Sequence, residues 1–177
     1  MPHQLLTAQC STPHQAYYLE APFPIERVPC AALPSKSLPT HYRDVKISQL
    51  RPGAFPVRAL VFESSTSLAS LASAVGRACG ALVAANVPHN LLISDKGARV
   101  FLIPNAFSER KARGEVPEDL LASQVDPACW EISGHLVLKR QQDYDAVTQE
   151  YCWELLSYAS FDEARFAHIA HIALADL

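Results

Sequence analysis

Two β-prone runs joined by a very short polar link constrain this chain's fold more than any other feature. Asn90-Leu-Leu-Ile-Ser94 and Arg99-Val-Phe-Leu-Ile103 flank Asp95-Lys96-Gly97-Ala98. A link that short cannot carry a crossover, so the runs must pair antiparallel as a hairpin. Asp95-Lys96-Gly97 is turn chemistry, with glycine free to adopt left-handed backbone angles. Pro104 ends the second run because a prolyl nitrogen has no hydrogen for a ladder.

The rest of the regular pattern follows from periodicity. Pro56–Glu63 reads as a strand, Val57, Ala59 and Val61 alternating with Arg58, Leu60 and Phe62, so both faces are largely apolar. After the Ser64–Ser67 loop, whose last serine is an N-cap candidate, the spacing predicts a helix over Leu68–Ala85. Leu68, Leu71, Ala72, Val75, Ala78, Cys79, Leu82 and Val83 form its apolar stripe. Asn86 and Pro88 stop it. Residues 105–116 read as a polar loop, and Pro117 opens a short helix. Trp130–Lys139 reads as a long strand with Trp130, Ile132, Leu136 and Leu138 on one face and a bulge or close approach at Gly134. Helices are expected over Asp143–Ala159 and Phe161–Leu174. This order predicts an α+β fold, one antiparallel sheet with helices packed on it.

The N-terminal third is different in kind. Nine of the 13 prolines fall within residues 1–56. They break any long element, leaving extended coil, a short β-prone run at Ala16–Leu19 and one weak strand or turn around Val45, Ile47 and Leu50. Residues 1–15 show no periodicity and read as an unstructured tail.

Composition limits the function classes. The chain has 177 residues, 49% of them apolar, enough for one cored domain or part of a larger protein. A net charge of −3 gives no reason to expect nucleic-acid binding. No apolar run approaches a membrane span, and the first 15 residues lack the regions of a secretory signal. Cys10, Cys30, Cys79, Cys129 and Cys152 are scattered without a C-x-x-C, as in a reduced cytoplasmic protein rather than a disulfide scaffold or zinc site.

Several residues are chemical candidates, each with a plainer alternative. His168 and His171 share a helix face, as a metal pair or as surface residues. His135 on the long strand can reach a phosphate or serve as a hydrogen-bonded structural histidine. Lys139-Arg140 at that strand's end can hold a phosphate or simply meet solvent. Ser108–Glu115 is a mobile surface loop or a lid over a polar ligand. There is no G-x-S-x-G, P-loop or dinucleotide fingerprint, and no cofactor or metal is expected. From the residues alone, the reading stops at an α+β domain with phosphate binding as an open function.

Longer strings carry more. Gln15–Pro29 (QAYYLEAPFPIERVP), Asn90–Asn105, Gly114–Tyr144 and the closing helices resemble the GDP-hexose phosphorylases, more narrowly the GDP-L-galactose phosphorylases of plants and algae. The resemblance runs from about Gln15 to Leu177. That family belongs to the histidine-triad superfamily and is related to galactose-1-phosphate uridylyltransferase. The resemblance implies a nucleotidyltransferase of ascorbate biosynthesis, acting on a GDP-hexose and phosphate through a guanylyl-histidine.

The family's active-site string is His-x-His-x-Gln followed by AYYL. Aligned on Gln15–Leu19, its first histidine falls on Ser11 and its nucleophile on Pro13, which has no nucleophilic atom. His14 is one residue out of register, which on a strand points a side chain to the other face. Gln15 matches the family's glutamine, which contacts the reacting phosphate. The resemblance therefore implies a non-family tail over 1–14, the end of a catalytic half over 15–55 and a histidine-triad-like second half over 56–177. His135, Lys139 and Arg140 are its substrate-side candidates. The expectation is a truncated, inactive chain with an exposed β edge, as a homodimer or paired with a full-length enzyme. The alternatives are a non-catalytic nucleotide- or partner-binding domain, and a GDP-D-glucose phosphorylase.

Overall fold

The structure, a computed structural model, describes residues 7–10 (backbone), 23–33 and 42–177. Ala16–Leu19, Gln15, His14 and Pro13 lie outside the described residues. The described chain opens with β1 (Thr7–Cys10), a 3-10 turn (Pro24–Arg27), β2 (Cys30–Ala32), β3 (Lys46–Leu50) and β4 (Leu60–Glu63). Then come α1 (Leu68–Ala84), β5 (His89–Ser94) and β6 (Arg99–Pro104). Next are α2 (Phe107–Ala112), α3 (Glu118–Ala122), α4 (Cys129–Ile132) and β7 (His135–Leu138). The last elements are α5 (Gln141–Ala146), α6 (Gln149–Ser157) and α7 (Glu163–Ala173).

Two compact units interleave along the sequence. One holds the described residues up to Val28 with Phe55–Val57 and Ala106–Ser160; the other holds Pro29–Ala54, Arg58–Asn105 and Phe161–Leu177.

The second unit is an open antiparallel sheet in the order β2-β3-β4-β6-β5 with α1 and α7 packed on it, an α+β arrangement. Residues opposite each other in an antiparallel ladder share a face. Leu60 opposes Leu102 and Phe62 opposes Val100, and these four meet the helices. Leu71, Val75, Ala78 and Leu82 of α1 and Phe166, Ile169 and Ala173 of α7 complete that core. Ser67 caps α1, its hydroxyl accepting the Ser70 N–H at 3.1 Å.

The hairpin is as the sequence demands: β5 and β6 pair from His89–Pro104 to Ser94–Arg99. Its link takes left-handed angles at Asp95, Lys96 and Gly97, not at the glycine alone. Three charges line up across neighbouring strands. Glu63 lies opposite both Lys46 and Arg99 and is 3.3 Å from each cation. Arg99 also lies over the Phe101 ring at 4.8 Å and donates to Cys30 Sγ at 3.3 Å.

Two strand expectations change here. The ladder of Pro56–Glu63 begins only at Leu60, because Pro56 and the bend before it cannot join a regular ladder. The weak strand around Ile47 is instead an interior one, between β2 and β4, and β2 itself is unforeseen between Pro29 and Pro34.

The first unit is mostly short helices. Its β1 and β7 pair in parallel, Thr7 with His135 through Cys10 with Leu138. The expectation of one sheet fails at this point, since β7 joins β1 in a separate two-stranded sheet. Thr7–Cys10 was expected within an unstructured tail. The polar stretch after Asn105 contains α2, not a loop. Phe107 is buried, the Ala106 N–H donates to the Ala159 carbonyl at 2.9 Å, and Arg113 pairs with Glu109 and Glu115. A single inward apolar residue gives no period to read, so the charges looked like a loop.

The strand expected from Trp130 to Lys139 is a helical turn followed by a short strand. Glu131 accepts the Ala128 N–H at 3.0 Å and the Ser133 hydroxyl donates to the Cys129 carbonyl, which closes α4. Gly134, at φ 103°, then turns the chain into β7. Trp130 and Ile132 therefore do not share a face as a strand requires: Ile132 is buried and Trp130 is 47% exposed. The helix expected over Asp143–Ala159 is broken at Val147 and Thr148, both extended. These adjacent β-branched residues favour extended backbone, and Thr148 caps α6 by accepting the Tyr151 N–H at 3.2 Å.

Candidate functional site

The first unit gathers an aromatic cluster around the start of β7. The 3-10 turn at Pro24–Arg27 is closed by Glu26, whose carboxylate accepts the Phe23 N–H at 2.6 Å. The Ile25 N–H donates to the Ser133 carbonyl at 3.2 Å and ties that turn to the residues just before His135. Phe23 consequently meets His135 edge-on at 4.8 Å between centroids and lies 5.3 Å from Trp130. Trp130 and His135 are also edge to face, at 6.2 Å.

His135 is buried, and burial holds its imidazole below its ordinary pKa. It is neutral at pH 7, with one ring nitrogen a donor and the other an acceptor. A neutral imidazole can hydrogen-bond a phosphate oxygen but is not a cationic anchor for it.

The two basic candidates follow β7. Lys139 is exposed, and its ammonium donates to the Gln124 carbonyl at 3.0 Å. Arg140 grips Asp143 bidentately, at 2.6 and 2.7 Å, and this contact holds its guanidinium charged. By strand period His135 and Val137 share one face of β7, with Leu136 and Leu138 on the other. The structure thus places His135 in the aromatic cluster and gives Lys139 and Arg140 local partners beyond the strand. Gln15 and His14 lie outside the described residues.

Sequence reading missed Phe23 and Trp130 as the neighbours of His135. One signal for Trp130 was present: Pro127 followed by Ala128 and, three positions on, Glu131, the spacing of a helix start. Phe23 had no such signal, because its contact spans more than a hundred residues of sequence.

Elsewhere the candidates are ordinary. His168 and His171 are both exposed on α7. Among the described residues, no group of three or more His, Cys, Asp or Glu side chains is placed to hold a metal. Burial pushes the Cys152 thiol up to about 11 and raises those of Cys79 and Cys129. No helix among the described residues is long and apolar enough to cross a membrane.

Comparison with known proteins places this architecture in a family. Residues 29–177 match the family described as "GDPGP1-like, C-terminal domain". The chain is 44% identical over 159 residues to GDP-L-galactose phosphorylase 1 of Arabidopsis thaliana, covering 90% of the chain and 34% of that relative. It is 44% identical over 155 residues to GDP-L-galactose phosphorylase 2 of the same plant, covering 88% of the chain and 34% of the relative. The chain therefore spans about a third of the length of these curated relatives. No solved structure matches it. A family match over residues 29–177, more than half of the chain, is decisive: the chain belongs to the GDPGP1-like family, whose C-terminal domain it carries.

Proposed function

We propose that this chain works in the phosphorolysis of a GDP-hexose, GDP-L-galactose in the first instance, as the C-terminal part of the enzyme. The observation that supports the reading is its 44% identity to two proteins named GDP-L-galactose phosphorylase. In the proposed reaction an imidazole nitrogen attacks the α-phosphorus and the bond to the hexose 1-phosphate breaks. Phosphate oxygen then attacks the guanylyl-histidine phosphorus, releasing the imidazole and forming GDP.

Pro13 stands where the family's motif has its nucleophile, so this chain's role is to hold substrate rather than attack it. His135 and Lys139 are the residues we assign to the sugar-phosphate side, with Arg140 set by Asp143. The antiparallel sheet with helices packed on it fits a histidine-triad-like half. The thiols of Cys30, Cys79 and Cys152, none of them in a disulfide, fit the reducing cytoplasm.

The test is phosphate-dependent conversion of GDP-L-galactose to GDP by the purified chain, with calorimetric GDP binding measured in parallel. The expected result is binding without turnover. Turnover by the chain alone would overturn the assignment at Pro13 and make His14→Ala the next variant. A folded chain that does not bind GDP would overturn the reading itself.

A further inference from the structure

A thiol and a buried hydroxyl stand on the same side of the five-stranded sheet as Arg99. Cys30 lies opposite Leu50, Ser48 opposite Val61, and Glu63 opposite Arg99. Residues two apart on a strand share a face, so Cys30, Ser48, Glu63 and Arg99 are all on the side away from α1 and α7. Ser48 is 3% exposed, and its hydroxyl meets no hydrogen-bond partner among the described residues. It is diagonal to Cys30 in the β2–β3 ladder, the spacing at which side chains on one face interact. The Arg99 guanidinium donates to Cys30 Sγ at 3.3 Å. A thiol sulfur is a weak acceptor for such a donor. An unmet buried hydroxyl also costs free energy that alanine would spare. An oxygen carried on that sulfur would serve both donors.

We propose that Cys30 is a reversible oxidation site, where hydrogen peroxide converts the thiol to a sulfenic acid whose oxygen is held by Ser48 and Arg99. The proposal is independent of the phosphorolysis reading. In the step, the Cys30 thiol gives up its proton and its sulfur attacks one peroxide oxygen. The O–O bond breaks, an S–O bond forms, and the departing hydroxide takes the proton to become water. Sulfur loses two electrons and peroxide gains them. A small-molecule thiol reverses it, displacing water to form a mixed disulfide, and a second one releases Cys30. Oxidation-prone cysteines are partly exposed and lie against positive charge, as Cys30 does. Burial instead raises the thiols of Cys79, Cys129 and Cys152, which withholds the reactive thiolate from them.

The test treats the folded chain with dilute hydrogen peroxide and traps sulfenic acid with dimedone, followed by peptide mass mapping. Labelling at Cys30 should run roughly 5-fold or more ahead of that at Cys79, Cys129 and Cys152. Sulfenate lifetime is read by removing the peroxide with catalase and adding dimedone after increasing delays. Ser48→Ala should shorten that lifetime roughly 2- to 10-fold, the effect of one lost hydrogen bond. The same variant should melt no lower than the parent, which separates support of the sulfenate from support of the fold. Labelling at Cys30 no faster than at the other three thiols overturns the proposal. So does a Cys30 sulfenate lifetime that Ser48→Ala leaves unchanged. Should Ser48→Ala fail to fold, the hydroxyl serves the reduced state and the proposal is overturned as well.

Discussion

The rings of Phe23 and His135 stand nearly perpendicular, 84° apart, with the imidazole buried at the contact. A buried imidazole against an aromatic edge resists protonation, which has a measurable consequence for stability. In the unfolded chain His135 takes up its proton at the ordinary pKa of about 6.5. In the fold burial holds the pKa lower. Between the two values the unfolded state binds more protons, so stability rises with pH there. The contribution of His135 is fully present above pH 6.5 or so and is lost as the pH falls through the folded value. Urea midpoints from pH 7.5 to 5 should fall on acidification, and His135→Leu should flatten part of that slope. An unaltered slope in the variant would assign the effect to other groups.

Gly134 turns the chain from α4 into β7 at φ 103°, a region closed to side chains. Gly134→Ala should cost about 1–3 kcal/mol in urea unfolding. The variant should also alter near-UV circular dichroism, because Trp130 and His135 lie on either side of the turn. A loss below about 0.5 kcal/mol, with that spectrum unchanged, would mean the turn relaxes without strain.

Gly76 and Gly80 sit within α1, and an added Cβ at either meets nothing within 4 Å. Mid-helix glycine costs backbone entropy without supplying packing. Gly76→Ala and Gly80→Ala should each raise stability by about 0.5–1 kcal/mol, seen as additive increases in thermal midpoint. Destabilisation by either would reveal that another surface lies close against this part of the helix.

Arg99 holds three neighbours at once: Glu63, Cys30 and the face of Phe101. Arg99→Ala should destabilise the chain by about 1–2 kcal/mol in chemical denaturation. Arg99→Lys should fall in between, since lysine keeps the charge opposite Glu63 but lacks the planar group that stacks on the ring. Equal losses from the two substitutions would place the effect in the stacking rather than the ion pair.

The legible parts of this fold were those whose determinants are local. The β5–β6 hairpin, α1 with its serine cap, and the last helix all follow from period, turn residues and caps within their own segments. Trp130–Lys139 misled because alternating apolar residues imitate a strand, whereas a carboxylate three positions beyond Ala128 closes a helical turn. Thr148 was similarly hidden, since apolar residues continue at helical spacing on both sides of the break it caps. At the candidate site His135 was visible as a residue type, but its environment comes from Phe23, brought in by a backbone bond from Ile25 to Ser133. No local pattern encodes that contact.

The interleaving of the two units has a consequence for how the chain acquires its structure. The core of the sheet-bearing unit needs Phe166, Ile169 and Ala173, which lie beyond Ser160, where the intervening segment of the other unit ends. A ribosome making this chain has released the hairpin and α1 long before it reaches those residues. The apolar side of the sheet must therefore wait, and its closure draws together parts of the chain far apart in sequence. Loop closure of that length is slow, and the waiting surface is the one a chaperone or an unwanted neighbour would meet first.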